Sequence, residues 1–283
     1  MRKYLTPLII LIIIGCSSLP KKRIPDTGLE ATRYLKSAGN AEMHLEYRRA
    51  LLLYEKSYNA YTSVDDIPGK VTAGLGMARI SYFLENEDEH DFWLGKITAL
   101  VNNNRSDLIP LLTLHHIRIG YDKMDYDSVL DLTVAFKTDN DEWVWEATCF
   151  RALALLRTGS PAASEKDNLI RALPSLEKRF RKNKLQQLEL YPFLLYTLGY
   201  IFTTDYDWSE AISYFSRARL GDQEIDNAIG VADDLYALAR CYELTGSLLQ
   251  AGDHYNRAAE IYCLLGAERS CQECKQKVAE LNR

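Results

Sequence analysis

From residue 29 onward, apolar residues recur mostly at three- and four-residue spacing, with Ala, Leu, Glu, Lys, Arg and Gln filling the segments between. That spacing follows the 3.6-residue turn of an α-helix, and those residue types cost little in helical conformation, so the pattern predicts amphipathic helices. Strand-like alternation is scarce. Val129 to Phe136 holds β-branched residues that could support a short strand, but its neighbours read helical and the segment is assigned to helix. Pro68, Pro110, Pro161 and Pro192 fall near expected element boundaries, where a missing amide donor costs little. Pro174 instead interrupts a helical pattern and is expected to break or kink it near Leu173.

Two segments repeat one another. Leu195, Leu198, Gly199, Phe202, Ala211, Phe215 and Ala218 are matched 40 positions later by Leu235, Leu238, Ala239, Tyr242, Ala251, Tyr255 and Ala258, and only Trp208 lacks a counterpart. Small residues let paired helices close, and large ones fill the space between them. This set resembles the tetratricopeptide repeat, a two-helix unit, with Gly246 where such a hairpin turns. Leu75, Ala78 and Tyr82 echo its opening helix, and Ala50, Tyr54 and Ser57 a closing helix before it. Between residues 87 and 190 the pattern is degenerate, although Tyr121 to Phe136 and Trp145 to Leu173 still read as helices around a Gly159-Ser160-Pro161 turn. The expectation is an all-α, tetratricopeptide-like solenoid of about five irregular helical hairpins in one domain, residues 29–283. Its clearest repeats are 192–220 and 232–265, and a terminal helix over 267–282 covers its end.

The amino terminus has another character. Arg2 and Lys3 precede an apolar run from Leu8 to Ile14, which stops at Gly15-Cys16 before Ser17 and Ser18. A transmembrane helix needs about 20 apolar residues, so this run fits a secretory signal better than a span. Ile13-Ile14-Gly15-Cys16 resembles the lipobox of bacterial lipoproteins, whose cysteine is joined to diacylglycerol before cleavage. The resemblance implies a signal peptide over residues 1–15 and a lipidated tether over 16–28. Pro20, Pro25, Gly28 and the basic Lys21-Lys22-Arg23 suit an extended linker. Several acyl chains on Cys16 would give durable membrane attachment where one would not. Ser17 resembles the outer-membrane sorting pattern, so the expected location is the outer membrane, facing the periplasm.

Charge narrows the partners. With 34 Lys plus Arg against 39 Asp plus Glu the net charge is -5, and no basic stripe offers the phosphate neutralisation on which nucleic-acid affinity depends. At 47% hydrophobic residues, wholesale disorder is excluded.

Few residues suggest chemistry. Cys271-Gln-Glu-Cys274 has redox or zinc spacing, but it sits inside a terminal helix rather than at a helix start after a strand, and for the two further ligands a zinc site needs only Cys263 and His254 are near in sequence. A disulfide from Cys263 to Cys271 or Cys274 suits an oxidising compartment better, and the sequence leaves the pairing open. Adjacent His115 and His116 point about 100° apart on a helix and cannot share a tight site. Asp122, Asp125, Asp127 and Asp131 lack the turning Gly and distal Glu of a calcium loop and read as a solvated loop and helix start. The acidic run 85–91 and the basic run 178–184 read as solvated faces. No nucleophile elbow, phosphate-binding loop or HExxH element is present. No catalytic residue, metal or cofactor is therefore expected.

In tetratricopeptide proteins the first helix of each hairpin lines a concave groove. Carried onto the two aligned repeats, the resemblance implies groove positions at Phe193, Tyr196, Tyr200, Asp233, Tyr236, Arg240 and Glu243, a mixture of aromatic and charged side chains suited to binding hot spots. The implied role is a non-catalytic, membrane-tethered adaptor holding a protein or peptide. An accessory transport component handling a small hydrophobic ligand or solute is the alternative, favoured by an enclosed apolar channel rather than an open groove.

Overall fold

The computed structural model describes residues 26–281, apart from the side chain of Asn104. The signal peptide, Cys16 and most of the tether lie outside the described residues. Among those described, thirteen α-helices follow in order: α1 Asp26–Met43, α2 Tyr47–Ser63, α3 Ile67–Phe83, α4 Glu87–Asn104, α5 Ile109–Asp122, α6 Tyr126–Ala135, α7 Asp141–Arg157, α8 Ala163–Arg181, α9 Leu190–Thr204, α10 Trp208–Glu224, α11 Ala228–Leu244, α12 Leu248–Leu264 and α13 Glu268–Leu281. No strand occurs among them.

Short turns make consecutive helices pack on one another. The result is a helical-hairpin solenoid of six consecutive pairs, ending in α13 against α12. The hairpin α5–α6 and its neighbour α7–α8 occupy the stretch where the repeat pattern fades. The same turn recurs at most junctions, with one residue in the left-handed region: Leu45, Asp65, Glu85, Met124, Asn183, Tyr206 and Asp226, and the glycines 159, 246 and 266. Tyr206 and Gly246 occupy equivalent positions of the two aligned repeats, so the turn geometry is shared even where glycine is not.

Local chemistry sets the helix ends. Asp66, Asn86, Asp125, Asn140, Asp207 and Asn227 accept amide hydrogen bonds as amino-terminal caps. The acidic run supplies Glu87, Asp88 and Glu89 to the first turn of α4, and the basic run supplies Lys178, Arg179 and Arg181 to the last turn of α8. Each run thus complements a helix dipole.

Two expectations are corrected. Helix α8 runs unbroken through Pro174, with Leu169, Leu173, Leu176 and Phe180 anchoring it on both sides of the proline. Packing of this face offsets the one lost backbone bond. Asp26, Thr27 and Gly28, read as the end of the tether, form the first turn of α1, where Gly28 is buried.

The core is distributed, as expected where each hairpin touches mainly its neighbours. Among the described residues, five apolar clusters run along the chain. Small residues govern close approach: a Cβ on Gly199 would lie 2.6 Å from the Phe215 ring, and one on Gly76 would lie 2.5 Å from the Tyr54 ring. In the later repeat, buried Ala239 and Tyr255 replace Gly199 and Phe215. The odd-numbered helices α1 to α11 touch in succession and form the inner layer, with the even-numbered helices outside. The inner layer curves until α1 meets α11, where His44 Nε2 lies 3.6 Å from Asp226 Oδ1. No helix among the described residues is long and apolar enough to cross a membrane.

Candidate functional site

The curvature forms an open cavity of about 520 Å³ with wall residues from every inner helix. They include Glu42 from α1, Arg79 and Phe83 from α3, Arg118 and Asp122 from α5, Glu146 and Phe150 from α7, Phe193 and Tyr196 from α9, and Asp233 from α11. Gln187 and Glu189, just before α9, and Asp222 of α10 complete the polar wall.

The first charged pair is built by packing. Gly76 leaves room for the Tyr54 ring, whose hydroxyl donates to Glu42 Oε2 at 2.8 Å. Arg79 then donates to both Glu42 oxygens, from Nε at 2.6 Å and Nη2 at 2.7 Å. Burial alone would push the Glu42 carboxyl up, but the guanidinium and the tyrosine hydroxyl hold it below its ordinary value. A second pair forms on the next two inner helices, where Arg118 Nε donates to Glu146 Oε1 at 2.5 Å and Nη2 donates to Gln187 Oε1 at 2.8 Å. That second bond ties the α8–α9 connection to the wall.

Other wall carboxyls have no such partner. Asp122 and Glu189 are exposed to solvent at the mouth of the cavity, yet the surrounding protein desolvates them enough to push Asp122 up to about 6 against the pull of Arg79 and to raise Glu189 despite its own backbone amide and Arg118. Asp233 accepts from the Tyr262 hydroxyl at 2.5 Å, yet burial still pushes it up to about 6. Asp222 accepts from Asn227 Nδ2 at 2.7 Å and faces the fully buried Asp234. Burial raises both: Asp222 reaches about 7 although Asn227 and Asp234 oppose the rise, and the Asp222 charge pushes Asp234 further up.

Of the seven groove positions from the sequence, Phe193, Tyr196 and Asp233 line the cavity. Phe193 stacks obliquely on Phe150 with centroids 5.0 Å apart, and Tyr196 meets Phe215 edge-on at 5.6 Å. The other four lie elsewhere, because α13 and neighbouring side chains occupy their faces. Tyr200 packs on Phe215, and the Tyr236 hydroxyl donates to Glu273 of α13. Glu243 accepts from the Tyr255 hydroxyl and from Lys277 of α13, while Arg240 is exposed outside the cavity.

The remaining candidates stand apart from the cavity. Cys263 and Cys271 form a disulfide that joins α12 to α13, with Cα atoms 5.2 Å apart. Cys149, Cys241 and Cys274 are buried free thiols. His115 is buried with neither ring nitrogen hydrogen bonded, whereas His116 is exposed. Asp125 caps α6, so the aspartate run divides between a helix cap and, at Asp122, the cavity wall. Among the described residues no three His, Cys, Asp or Glu side chains are grouped to hold a metal ion.

Sequence reasoning missed Glu42, Arg79, Arg118, Asp122, Glu146, Glu189 and Asp222 as wall residues. The available signal was a lone charge inside an apolar stretch, as at Arg79 in Met77–Phe83, Arg118 in Leu111–Tyr121 and Glu146 in Trp143–Phe150. No protein-family model matches the sequence, and no curated protein matches it.

Proposed function

We propose that the protein is a non-catalytic lipoprotein of a bacterial envelope, tethered to the outer membrane through Cys16, with a tetratricopeptide-like solenoid that faces the periplasm and binds a protein or peptide on its inner layer. The single observation that carries the binding role is the cavity, in which Phe193, Tyr196 and Asp233 meet wall residues of all six inner helices. Aromatic side chains that are only partly buried supply contact area with few rotors to freeze, the property that concentrates binding energy in a few residues. The leader and its Ile13-Ile14-Gly15-Cys16 end support the tether.

Replacing Phe193 and Tyr196 together with Ala should reduce capture of the native partner while helical content stays intact, and Tyr236→Ala should have the smaller effect. Unchanged capture by the double variant removes the binding role. Mass measurement of the mature amino terminus tests the tether: a diacylglyceryl-modified Cys16 is expected, and a soluble chain retaining residues 1–15 overturns it.

The transport reading draws support from the meeting of α1 with α11, which brings the two ends of the inner layer together around the groove. The wall carboxyls favour a polar ligand over a hydrophobic one in that role.

A further inference from the structure

The cavity wall holds more negative charge than its own cations match. Arg79 and Arg118 are engaged by Glu42 and Glu146. Asp122, Glu189, Asp222 and Asp233 are left without an ammonium or guanidinium within ion-pair distance among the described residues, though all four line the same space. They form one connected field: Glu189 feels Glu42 and Glu146, and Asp222 feels Glu189 and Asp233. Behind Asp222, itself 5% exposed, stands Asp234 at 0%, whose two oxygens accept no hydrogen bond from any N–H. Burying an unmatched carboxyl, as at Asp222 and Asp234, disfavours folding, while Glu189 and Asp122 stand exposed at the mouth of the same space.

The second feature is aromatic. Phe83, Phe150, Phe193 and Tyr196 line the cavity beside these carboxyls. Ring faces attract cations and also cover methylene stems, so carboxylates beside aromatic faces suit a charged amine on an alkyl chain. A bare metal ion is a poor fit, because among the described residues no three potential ligands are grouped to hold one. An anion is a worse fit, because both wall guanidiniums are already paired.

We propose that the inner cavity is a binding site for an organic cation, a primary amine or guanidinium whose charge is met by Glu189 and Asp122 and whose alkyl stem lies against Phe150, Phe193 and Tyr196. A volume of about 520 Å³ is that of a small-molecule site and admits a linear polyamine, or one Lys or Arg side chain with its neighbouring peptide units. The assignment deepens the inner-layer reading above, and rests on it, by naming the chemistry recognised.

Calorimetric titration of the purified full-length protein tests it, with spermidine as one probe and the peptide Ala-Lys-Ala as the other. One-to-one binding is expected, weakened at least ~10-fold by Glu189→Gln and again by Asp122→Asn. A variant neutralising Glu87 and Asp88 on the outer acidic run should leave the affinity unchanged. Tighter spermidine binding identifies a free polyamine as the source of the amine, and tighter peptide binding identifies a basic side chain; either supports the site. Circular dichroism on both wall variants separates lost binding from lost folding, and Asp122→Asn serves alone if Glu189→Gln does not fold. No heat from either probe up to about 1 mM, or equal affinities for wild type and a folded wall variant, overturns the assignment. Partner capture that still depends on Phe193 and Tyr196 after that result would sink the cation assignment while leaving inner-layer binding in place.

Discussion

Arg79 grips Glu42 across 37 residues of sequence, with two nitrogens on two oxygens, and so fastens the first inner helix to the second. Both side chains are largely withdrawn from solvent at 17% and 19% exposure. Removing one partner leaves a charge stranded in the wall, whereas removing both leaves only lost contacts. Arg79→Met should therefore lower stability by about 2–4 kcal/mol in urea unfolding, and adding Glu42→Gln should recover part of the loss. Additive losses in the double variant would show that the pair is not coupled.

The same substitution should act in opposite directions at two glycines. Gly199→Ala places a methyl against the buried Phe215 ring and should cost about 1–3 kcal/mol. Gly95, exposed within α4, meets nothing within 4 Å, and Gly95→Ala should raise stability by about 0.5–1 kcal/mol. Thermal unfolding of the two variants beside wild type checks both signs.

The wall carboxyls give stability an unusual pH dependence. A carboxyl whose folded pKa is raised keeps its proton in the folded state after the unfolded chain has lost it, so stability falls as pH rises through the folded value. Asp222 and Asp234 are raised in this way. Between pH 7 and 8 the unfolded carboxyls are ionised, and buried His115, whose pKa is lowered on folding, opposes the trend only through the minority of unfolded imidazole still protonated near pH 7. Wild type should lose stability across this interval, by up to about 1.4 kcal/mol per group. Asp234→Asn should flatten the dependence and be the more stable protein at pH 8. A wild-type profile that is flat or rising from pH 7 to 8 contradicts this account.

The Cys263–Cys271 bond pins the terminal helix to the hairpin before it. For so short a loop, chain-entropy reasoning gives about 2–3 kcal/mol. Dithiothreitol should lower the melting temperature of wild type and leave that of Cys263→Ser unchanged. Equal responses would mean that α13 docks without the bond.

The hairpins were legible because their information is local. Three- and four-residue spacing marks the helices, and the small-large pairing of Gly199 with Phe215 recurs as Ala239 with Tyr255. Pro174 misled because helix breaking was judged from the backbone alone, while Leu169, Leu173, Leu176 and Phe180 hold α8 against the core. The cavity was hidden for a different reason. Its wall draws a few residues from each of six inner helices and from α2 and α10, and pairs such as Arg118 with Gln187 are separated by 69 positions. Groove positions transferred from two repeats therefore include the wall residues Phe193, Tyr196 and Asp233 but not the wall carboxyls Asp122, Glu189 and Asp222. They also included Tyr236 and Glu243, whose partners Glu273 and Lys277 lie on a helix outside the repeat.

Site-specific photocrosslinking in living cells tests the binding role most directly, with a photoreactive phenylalanine analogue placed at Phe193 on the cavity wall and, separately, at Leu220 on the exposed outer layer. The account predicts a defined adduct from position 193, lost when Tyr196 is also changed to Ala, and no adduct from position 220. Adducts of equal yield from both positions, or from position 220 alone, would contradict it.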